Sequence, residues 1–267
     1  MKTIISFVVG FIFLAAYSSQ APARDSGITE EFHQSYPLSS GGSVRLDNIN
    51  GGVQIKVWNK DEIKIDAVKH ADDKNMMDQL KIVVSASSDL VDVDTKYPEN
   101  SNTYNHNEQG PWVKYTITVP KSANLDNIKT INGDIEISGV EGKIKGSTIN
   151  GTVHASDIKN DCRLETVNGK VKAGFASLGS GSDVTLKSVN GSIVVDLPAS
   201  AGTKIRAKVN NGSITNDFGL VSSRENEGHS MVKIGDSIDG KIGDGSASVS
   251  VETVNGDIKI LKSEENK

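Results

Sequence analysis

The apolar residues in the second half of the chain form columns when the sequence is aligned on a recurring Asn-Gly pair. The pair stands in Thr148-Ile149-Asn150-Gly151-Thr152-Val153, and similar stretches begin at residues 130, 166, 188, 209 and 253. The paired asparagines are Asn132, Asn150, Asn168, Asn190, Asn211 and Asn255. All but the last are spaced by about 20 residues, and the last interval is about two such steps. A fixed period of this length predicts a β-solenoid.

Three columns of this alignment are apolar, and a polar column separates the first two. The apolar columns hold Ile135, Val153, Val171, Ile193, Ile214 and Ile258; then Ile137, Ala155, Ala173, Val195 and Ile260; then Ile144, Cys162 and Val184. The separating column holds Glu136, His154, Lys172, Val194 and Lys259. Because strand side chains alternate between faces, the apolar columns are predicted to point inward. Cys162 is therefore predicted to be a buried hydrophobe and His154 a solvated residue.

The Asn-Gly pair suits a change of chain direction in every coil. Glycine accepts positive φ, and asparagine tolerates the left-handed region better than most residues. Stacked asparagine side chains could also hydrogen-bond one another in a ladder. The alternative is that each pair is an ordinary antiparallel hairpin turn. Isolated hairpins would not need matching apolar columns at a constant period, so the pattern favours stacked parallel coils.

The first half of the chain alternates less regularly and predicts a short β-rich region. Strands are predicted at residues 30–36, 43–46, 53–57, 62–69, 81–85, 90–94 and 112–119. The strands within residues 43–69 suggest a short antiparallel sheet. Residues 71–80 have helical spacing, with Asp72 or Asp73 as the N-cap. The polar stretch 96–111 is predicted to be an exposed loop, either mobile or involved in binding.

The N-terminus has the features of a secretory signal peptide. Lys2 precedes an apolar run at residues 4–16, and Ala21-Pro22-Ala23 supplies a small-x-small cleavage site. The run is shorter than the roughly 20 residues that a membrane-spanning helix needs. We therefore predict export to the periplasm, cell surface or medium, with no stable membrane insertion after cleavage.

These patterns predict an all-β chain with four parts. Residues 1–23 form the signal peptide, 24–122 an N-terminal β-rich capping region with one short helix, 123–261 a parallel β-helix or β-solenoid, and 262–267 a charged tail. A charged insertion at residues 222–230 is predicted to leave one coil. The charged tail is predicted to protect the open end of the solenoid from aggregation.

The charge of the chain bears on its partners, and its cysteine content bears on its cross-links. The net charge is −5, with acidic and basic residues interleaved, which argues against a nucleic-acid surface. The single cysteine excludes an internal disulfide.

Parallel β-helices can carry carbohydrate-active sites, which need two or more converging acids. The acids nearest to one another in sequence are Asp134 and Glu136, and Asp157 and Asp161. They do not recur in one column, so we predict no catalytic residues and no cofactor.

Two weaker patterns concern metal and ligand binding. Gly235-Asp236-Ser237-Ile238-Asp239-Gly240 and Gly243-Asp244-Gly245 faintly resemble calcium-binding β-roll turns but lack their repeated nonapeptide. No metal site is predicted. A hydroxyl column, predicted to face outward and to be interrupted at Lys208, is more typical of strand formation than of glycan or ice binding. Its members are Thr130, Thr148, Thr166, Ser188 and Thr253.

Several of these motifs also occur together in a known family. Val119-Pro120-Lys121, the repeated Ile-Asn-Gly-Asp-Ile-Glu-Ile units, Ser192-Ile193-Val194-Val195-Asp196-Leu197-Pro198 and the closing Asn255-Gly256-Asp257-Ile258 resemble the DUF4097 β-strand-repeat proteins, which are named as adhesins. The resemblance covers roughly residues 30–261. It implies a bacterial, exported or envelope-associated β-solenoid, and no catalytic residues come with it.

The predicted function is a non-catalytic, adhesin-like binding or scaffold protein of the cell envelope. Its partner would be an envelope polymer or another protein, and the pattern identifies no ligand-binding residues. Two alternatives remain at this point: a carbohydrate-active lyase or hydrolase, and an envelope-stress accessory protein.

Overall fold

The computed structural model describes residues 27–98, 110–221 and 235–263. The predicted signal peptide, the insertion at 222–230, and most of the loop at 96–111 and of the tail at 262–267 lie outside these ranges.

Within the described ranges the chain forms twenty strands and one short helix. They are β1 Ile28–Pro37, β2 Ser43–Asp47, β3 Val53–Trp58, β4 Glu62–Ala71, α1 Lys74–Gln79, β5 Lys81–Ala86, β6 Leu90–Lys96, β7 Trp112–Pro120, β8 Asn124–Lys129, β9 Ile135–Ser138, β10 Ile144–Asn150, β11 Val153–Ile158, β12 Cys162–Asn168, β13 Val171–Phe175, β14 Asp183–Asn190, β15 Ile193–Pro198, β16 Thr203–Asn211, β17 Ile214–Asn216, β18 Asp236–Ile242, β19 Ala247–Asn255 and β20 Ile258–Ser263.

The strands form two ten-stranded sheets. Sheet 1 has the order β1-β4-β7-β3-β9-β11-β13-β15-β20-β17, and sheet 2 has the order β18-β16-β19-β14-β12-β10-β8-β2-β6-β5. One coil is a strand of sheet 2, a corner at the Asn-Gly pair, and a strand of sheet 1. Successive coils pair in parallel: Val153 lies between Ile135 and Val171, and Asn150 is opposite Asn168. The prediction of an all-β parallel solenoid is confirmed.

The hydrophobic core lies between the two sheets and contains all three predicted apolar columns, with exposures of at most 9 %. Glu136, Lys172 and Lys259 of the separating column are exposed on the outside. Cys162 is 2 % exposed and pairs with Ile144 and Val184, so its predicted role as a buried hydrophobe is confirmed. Burial raises the pKa of its thiol far above the ordinary value, which keeps the sulfur protonated and unreactive.

The coils at the C-terminal end do not follow chain order. Strand β19 lies between β14 and β16, and β20 lies between β15 and β17. The chain therefore skips one position after β15, forms β16 to β18, and returns to fill the gap. Asn211 and Asn255 are 44 residues apart in the sequence but lie in adjacent coils. The expectation that this interval spans two coils is therefore wrong.

The N-terminal strands are also stacked out of chain order. β2 pairs in parallel with β6 and β8, and β3 pairs in parallel with β7 and β9. The antiparallel sheet expected over residues 43–69 is therefore wrong for these two strands. Among the described strands at this end, antiparallel pairing is confined to β1 with β4, β4 with β7, and β5 with β6. Alternation of apolar and polar residues specifies the buried face of a strand but not its neighbour, which explains the error.

The predicted helix is present but short, because Ala71 belongs to β4. The Met76 backbone N–H donates to Asp73 Oδ1 at 2.8 Å, which confirms Asp73 as the N-cap. Met77 and Leu80 are buried against the solenoid.

Candidate functional site

An asparagine ladder runs along one corner of the solenoid. Each Asn Nδ2 donates to Oδ1 of the asparagine in the preceding coil at 2.8–2.9 Å. The spatial order is Asn50, Asn132, Asn150, Asn168, Asn190, Asn255 and Asn211. At its N-terminal end, Asn50 Nδ2 donates to the carbonyl of Pro111 at 3.1 Å. The ladder predicted from the sequence is confirmed, and it holds every coil in register with the next.

The glycines of this corner are required by close packing between coils. A Cβ atom at Gly151 would lie 2.1 Å from the carbonyl oxygen of Gly133, and one at Gly169 would lie 1.9 Å from that of Gly151. Gly151 itself does not have a positive φ, and among the described non-glycine residues only Asp157 does. The left-handed conformation expected for the Asn-Gly pair is therefore not its general cause. A side chain would separate the stacked coils.

The hydroxyl column points inward, which corrects the prediction that it faces solvent. Thr130, Thr148, Thr166, Ser188 and Thr253 are at most 5 % exposed. Each hydroxyl donates to the glycine carbonyl of the preceding coil, at 2.8–3.1 Å. The last coil has Val209 at this position and not Lys208, because Val209 is opposite Thr253. The corner interrupts the period of two, so side-chain parity cannot be counted across it.

An aliphatic stripe lies beside the corner on the outer face of sheet 2. It consists of the residue before each ladder asparagine: Ile49, Ile131, Ile149, Val167, Val189 and Val254. Ile49, Ile149, Val167 and Val189 are each 38–40 % exposed. With strands about 4.8 Å apart, the six residues extend for roughly 24 Å. The sequence contained the signal, an Ile or Val in six consecutive coils, but the outward direction predicted for the adjacent hydroxyl column implied that this position faces inward.

A column that is charged in five of its six positions borders the stripe two residues earlier on each strand, and it is called the charged column below. Its members are Asp47, Lys129, Ser147, Glu165, Lys187 and Glu252. Lys187 Nζ lies 3.8 Å from Glu252 Oε2, and Glu165 pairs with Arg163 at 2.7 Å. An open groove of about 420 Å³ runs between this column and the stripe. An apolar centre with a charged rim is the usual anatomy of a protein interaction surface.

The acids considered for catalysis do not form one site. Asp134 accepts a hydrogen bond from the Thr152 backbone N–H at 2.6 Å, beside the asparagine corner. Asp157 lies five residues after Thr152, which on an extended strand is roughly 16 Å away. Glu136 accepts from Gln54 Nε2 at 2.9 Å.

Asp161 lies before β12, in the turn that follows β11. It accepts from the Asp183 backbone N–H at 3.1 Å and pairs with Lys143 at 3.0 Å. These two contacts, the first more than the second, hold the pKa of Asp161 below its ordinary value. A carboxylate of this kind is a structural acceptor and a poor proton donor for glycoside cleavage.

The stretch that faintly resembles a calcium-binding turn is instead mostly strand β18. Asp236 is buried and accepts from the Ile214 backbone N–H at 3.3 Å, whereas Asp239 pairs with Arg206 at 3.0 Å on the exposed face. Asp244 accepts from the Ser246 backbone N–H at 3.0 Å, which lowers the pKa of Asp244. Over the described ranges, no three His, Cys, Asp or Glu side chains are grouped as metal ligands would be.

The sequence matches the family model described as Toastrack DUF4097 over residues 42–261. No curated protein matches the chain. In the part of the chain described above, no helix combines the length and the apolar character needed to cross a bilayer.

Solved structures with a similar chain path come from several bacteria. A "putative cell adhesion protein" from Clostridium sporogenes ATCC 15579 is 15 % identical, with a TM-score of 0.48, over 88 % of this chain and 100 % of that one. A "putative adhesin" from Bacteroides fragilis NCTC 9343 is 14 % identical, with a TM-score of 0.39, over 86 % and 96 %. A "putative lipid binding protein" from Parabacteroides distasonis ATCC 8503 is 10 % identical, with a TM-score of 0.21, over 88 % and 97 %.

Proposed function

The chain belongs to the DUF4097 (Toastrack) family, and from this premise we propose that it is an exported binding protein that holds another envelope protein along the aliphatic stripe, without catalysis. The observation that carries the proposal is the stripe itself. Six consecutive coils present Ile or Val to solvent where a threonine would form the strand equally well. A side chain that costs solubility in every coil is explained if a partner covers it.

The expected strength of binding follows from the exposed area. Full burial of an Ile or Val side chain contributes about 1.5–3 kcal/mol, so covering the 38–40 % that is exposed here contributes about 1 kcal/mol per residue. Removal of three neighbouring stripe side chains is therefore expected to weaken binding by about a hundredfold. The charged column would set the register of the partner more than the affinity.

The chemistry of the groove favours a polypeptide over a polysaccharide. Sugar rings are usually held by aromatic faces and by dense arrays of polar groups, whereas the residues that line the groove are Ile, Val, Thr and Ser with charged residues at the rim. Asp134, Glu136 and Asp161 are engaged in separate hydrogen bonds, which gives no support to the carbohydrate-active alternative. No observation favours an envelope-stress role over general protein binding.

Site-specific photo-crosslinking in cells tests the proposal. A photoreactive amino acid at position 167 samples the stripe, and one at exposed position 172 of the same coil samples the outer face of sheet 1 as a matched control. We expect a protein adduct of defined mass from position 167 alone, and its loss when Ile149→Ser and Val189→Ser are combined. Equal adducts at both positions, or adducts that persist in the double variant, would contradict the stripe as the binding surface.

A parallel assay separates the alternatives. The purified mature protein is sedimented with peptidoglycan sacculi, and the soluble fraction is analysed for new reducing ends. Co-sedimentation that survives the double variant would indicate polymer binding elsewhere on the molecule. Release of reducing ends would establish catalysis and make the four acids the residues to substitute.

Export is tested on the same cells. The proposal expects the N-terminus of the mature protein to be Arg24, after cleavage at the Ala21-Pro22-Ala23 site. An uncleaved chain confined to the cytoplasm would contradict export whatever the outcome of crosslinking.

A further inference from the structure

The chain contains seven Asn-Gly pairs, and this dipeptide is chemically reactive. The backbone nitrogen of the glycine can attack Cγ of the asparagine, which closes a succinimide ring and releases ammonia. Water then opens the ring at either carbonyl and yields aspartate or isoaspartate. The reaction requires a glycine nitrogen that can lose its proton and an asparagine side chain that can rotate towards that nitrogen.

Six of the seven pairs are held in place by the next coil. The backbone N–H groups of Gly51, Gly133, Gly151, Gly169, Gly191 and Gly256 each donate to the carbonyl of the asparagine in the following coil at 2.8–3.0 Å. In each of these pairs the asparagine Oδ1 also accepts from the ladder amide of that coil. Both reacting groups are therefore engaged.

The seventh pair, Asn211-Gly212, lies at the end of the ladder, and within the described part of the chain it lacks both restraints. Asn211 Nδ2 donates to Asn255 Oδ1 at 2.8 Å. Within the described ranges, however, Asn211 Oδ1 accepts no hydrogen bond and the Gly212 N–H donates none. Gly212 is also exposed, whereas the other six glycines are half-buried. One hydrogen bond holds this pair's side chain, and nothing in these ranges holds its reacting nitrogen.

We propose that Asn211 is a deamidation site that reacts before the other six Asn-Gly pairs of the folded protein. Water is the only co-reactant, ammonia is the leaving group, and no oxidant or enzyme is needed. The inference is independent of the proposed binding function, because it concerns the Asn211 end of the ladder and not the aliphatic stripe.

Deamidation at this position would weaken the last coil. The amide that donates to Asn255 Oδ1 would become a carboxylate, which cannot donate and which faces that oxygen. Two carboxylates already bind the neighbouring backbone: Asp257 accepts from the Ser213 N–H at 3.0 Å, and Asp236 accepts from the Ile214 N–H. A third negative charge beside them adds repulsion. Isoaspartate would in addition lengthen the backbone by one methylene at the corner.

The test is peptide mapping by mass spectrometry after incubation of the folded protein in mildly alkaline buffer. The other six pairs serve as internal controls in the same sample. We expect Asn211 to react on the order of tenfold faster than the others, the factor that corresponds to one hydrogen bond of about 1.4 kcal/mol. A rate at Asn211 equal to or below those of the other six would overturn the proposal.

Two further measurements separate the effect of the fold from that of the local sequence. In urea all seven rates should converge, and a persistent preference for Asn211 would assign the effect to its flanking residues. The variant Asn211→Asp mimics the product and should reduce hydrogen-exchange protection in β16 and β17, whereas Asn211→Gln should not. Unchanged protection in Asn211→Asp would contradict the weakening of the last coil.

Discussion

At the scale of single residues, each Thr-x-Asn-Gly unit of the corner makes three kinds of hydrogen bond to a neighbouring coil. The threonine hydroxyl donates to a glycine carbonyl, the asparagine amide donates to the next asparagine of the ladder, and the glycine N–H donates to an asparagine carbonyl. Thr166 illustrates the first: it is 4 % exposed, and its hydroxyl donates to the Gly151 carbonyl at 2.9 Å. Threonine combines a branched Cβ, which suits a strand, with a donor that satisfies a carbonyl next to the core. The same position tolerates Val209 in the last coil of the ladder, where the chain does without this bond.

The substitution Thr166→Val tests the contribution of the buried hydroxyl. It keeps the shape of the side chain and leaves one bond to the Gly151 carbonyl unmade, so we expect the free energy of unfolding to fall by about 1–2 kcal/mol. Urea denaturation followed by circular dichroism measures the change. Thr166→Ser is the matched control, since it retains the hydroxyl as Ser188 does. Equal losses in the two variants would show that packing, and not the hydrogen bond, holds this position.

At the scale of the coil, the glycine column sets how closely adjacent elements approach. Gly151 and Gly169 bring backbone against backbone at the corner, which leaves no room for a Cβ atom. Gly174, in β13 of the same solenoid, has a different environment, because a Cβ there would lie 3.9 Å from its nearest neighbour, Ser156 Cα. Gly174 therefore has room for a side chain, whereas Gly151 and Gly169 do not.

The pair Gly151→Ala and Gly174→Ala measures this difference. We expect Gly151→Ala to destabilise the protein by about 3 kcal/mol or to prevent folding, because the added methyl would lie 2.1 Å from the rigid Gly133 carbonyl oxygen. Gly174→Ala should change stability by less than about 1 kcal/mol, since the site has space and alanine lowers the entropy of the unfolded chain. Comparable thermal midpoints for the two variants would refute the close-packing account of the corner.

At the scale of the whole molecule, the coils at both ends are laid down out of sequence order. The last strands of the described chain, β19 and β20, occupy an interior position between earlier coils. β17 has β20 as its sheet neighbour, and it forms the edge of sheet 1. The coil formed by β19 and β20 therefore connects β16, β17 and β18 to the rest of the solenoid. A coil at the end of the stack would not make this connection.

Truncation after residue 246 tests this topology. Loss of β19 and β20 is expected to abolish hydrogen-exchange protection in β16 and β17 as well, because their parallel partners are gone. Removal of residues 264–267 alone should leave that protection intact and serves as the control. Retained protection of β16 after the longer truncation would mean that the C-terminal coil does not form the interior of the stack.

Much of this arrangement could be inferred from the pattern of residues. The constant period, the matching apolar columns and the repeated Asn-Gly pair specified stacked parallel coils, the asparagine ladder and the burial of Cys162. Local propensity gave Asp72 or Asp73 as the helix N-cap, and the structure shows that it is Asp73. The coils, the ladder and the burial of Cys162 depend on periods of two and of about 20 residues, which are visible in one dimension because equivalent residues recur at equal spacing.

Other features required three-dimensional packing. Strands with the same repeat sequence can pair with one another equally well. The period therefore did not specify that β19 would lie between β14 and β16. Side-chain parity is lost at the corner, so a count made across it gave the hydroxyl column the wrong direction. Within β10 the alternation continues unbroken from buried Ile144 to buried Thr148, which leaves Ile149 exposed. The candidate binding surface could be recognised only once the structure showed that each strand of sheet 2 continues to the ladder asparagine, so that the bend follows the stripe residue.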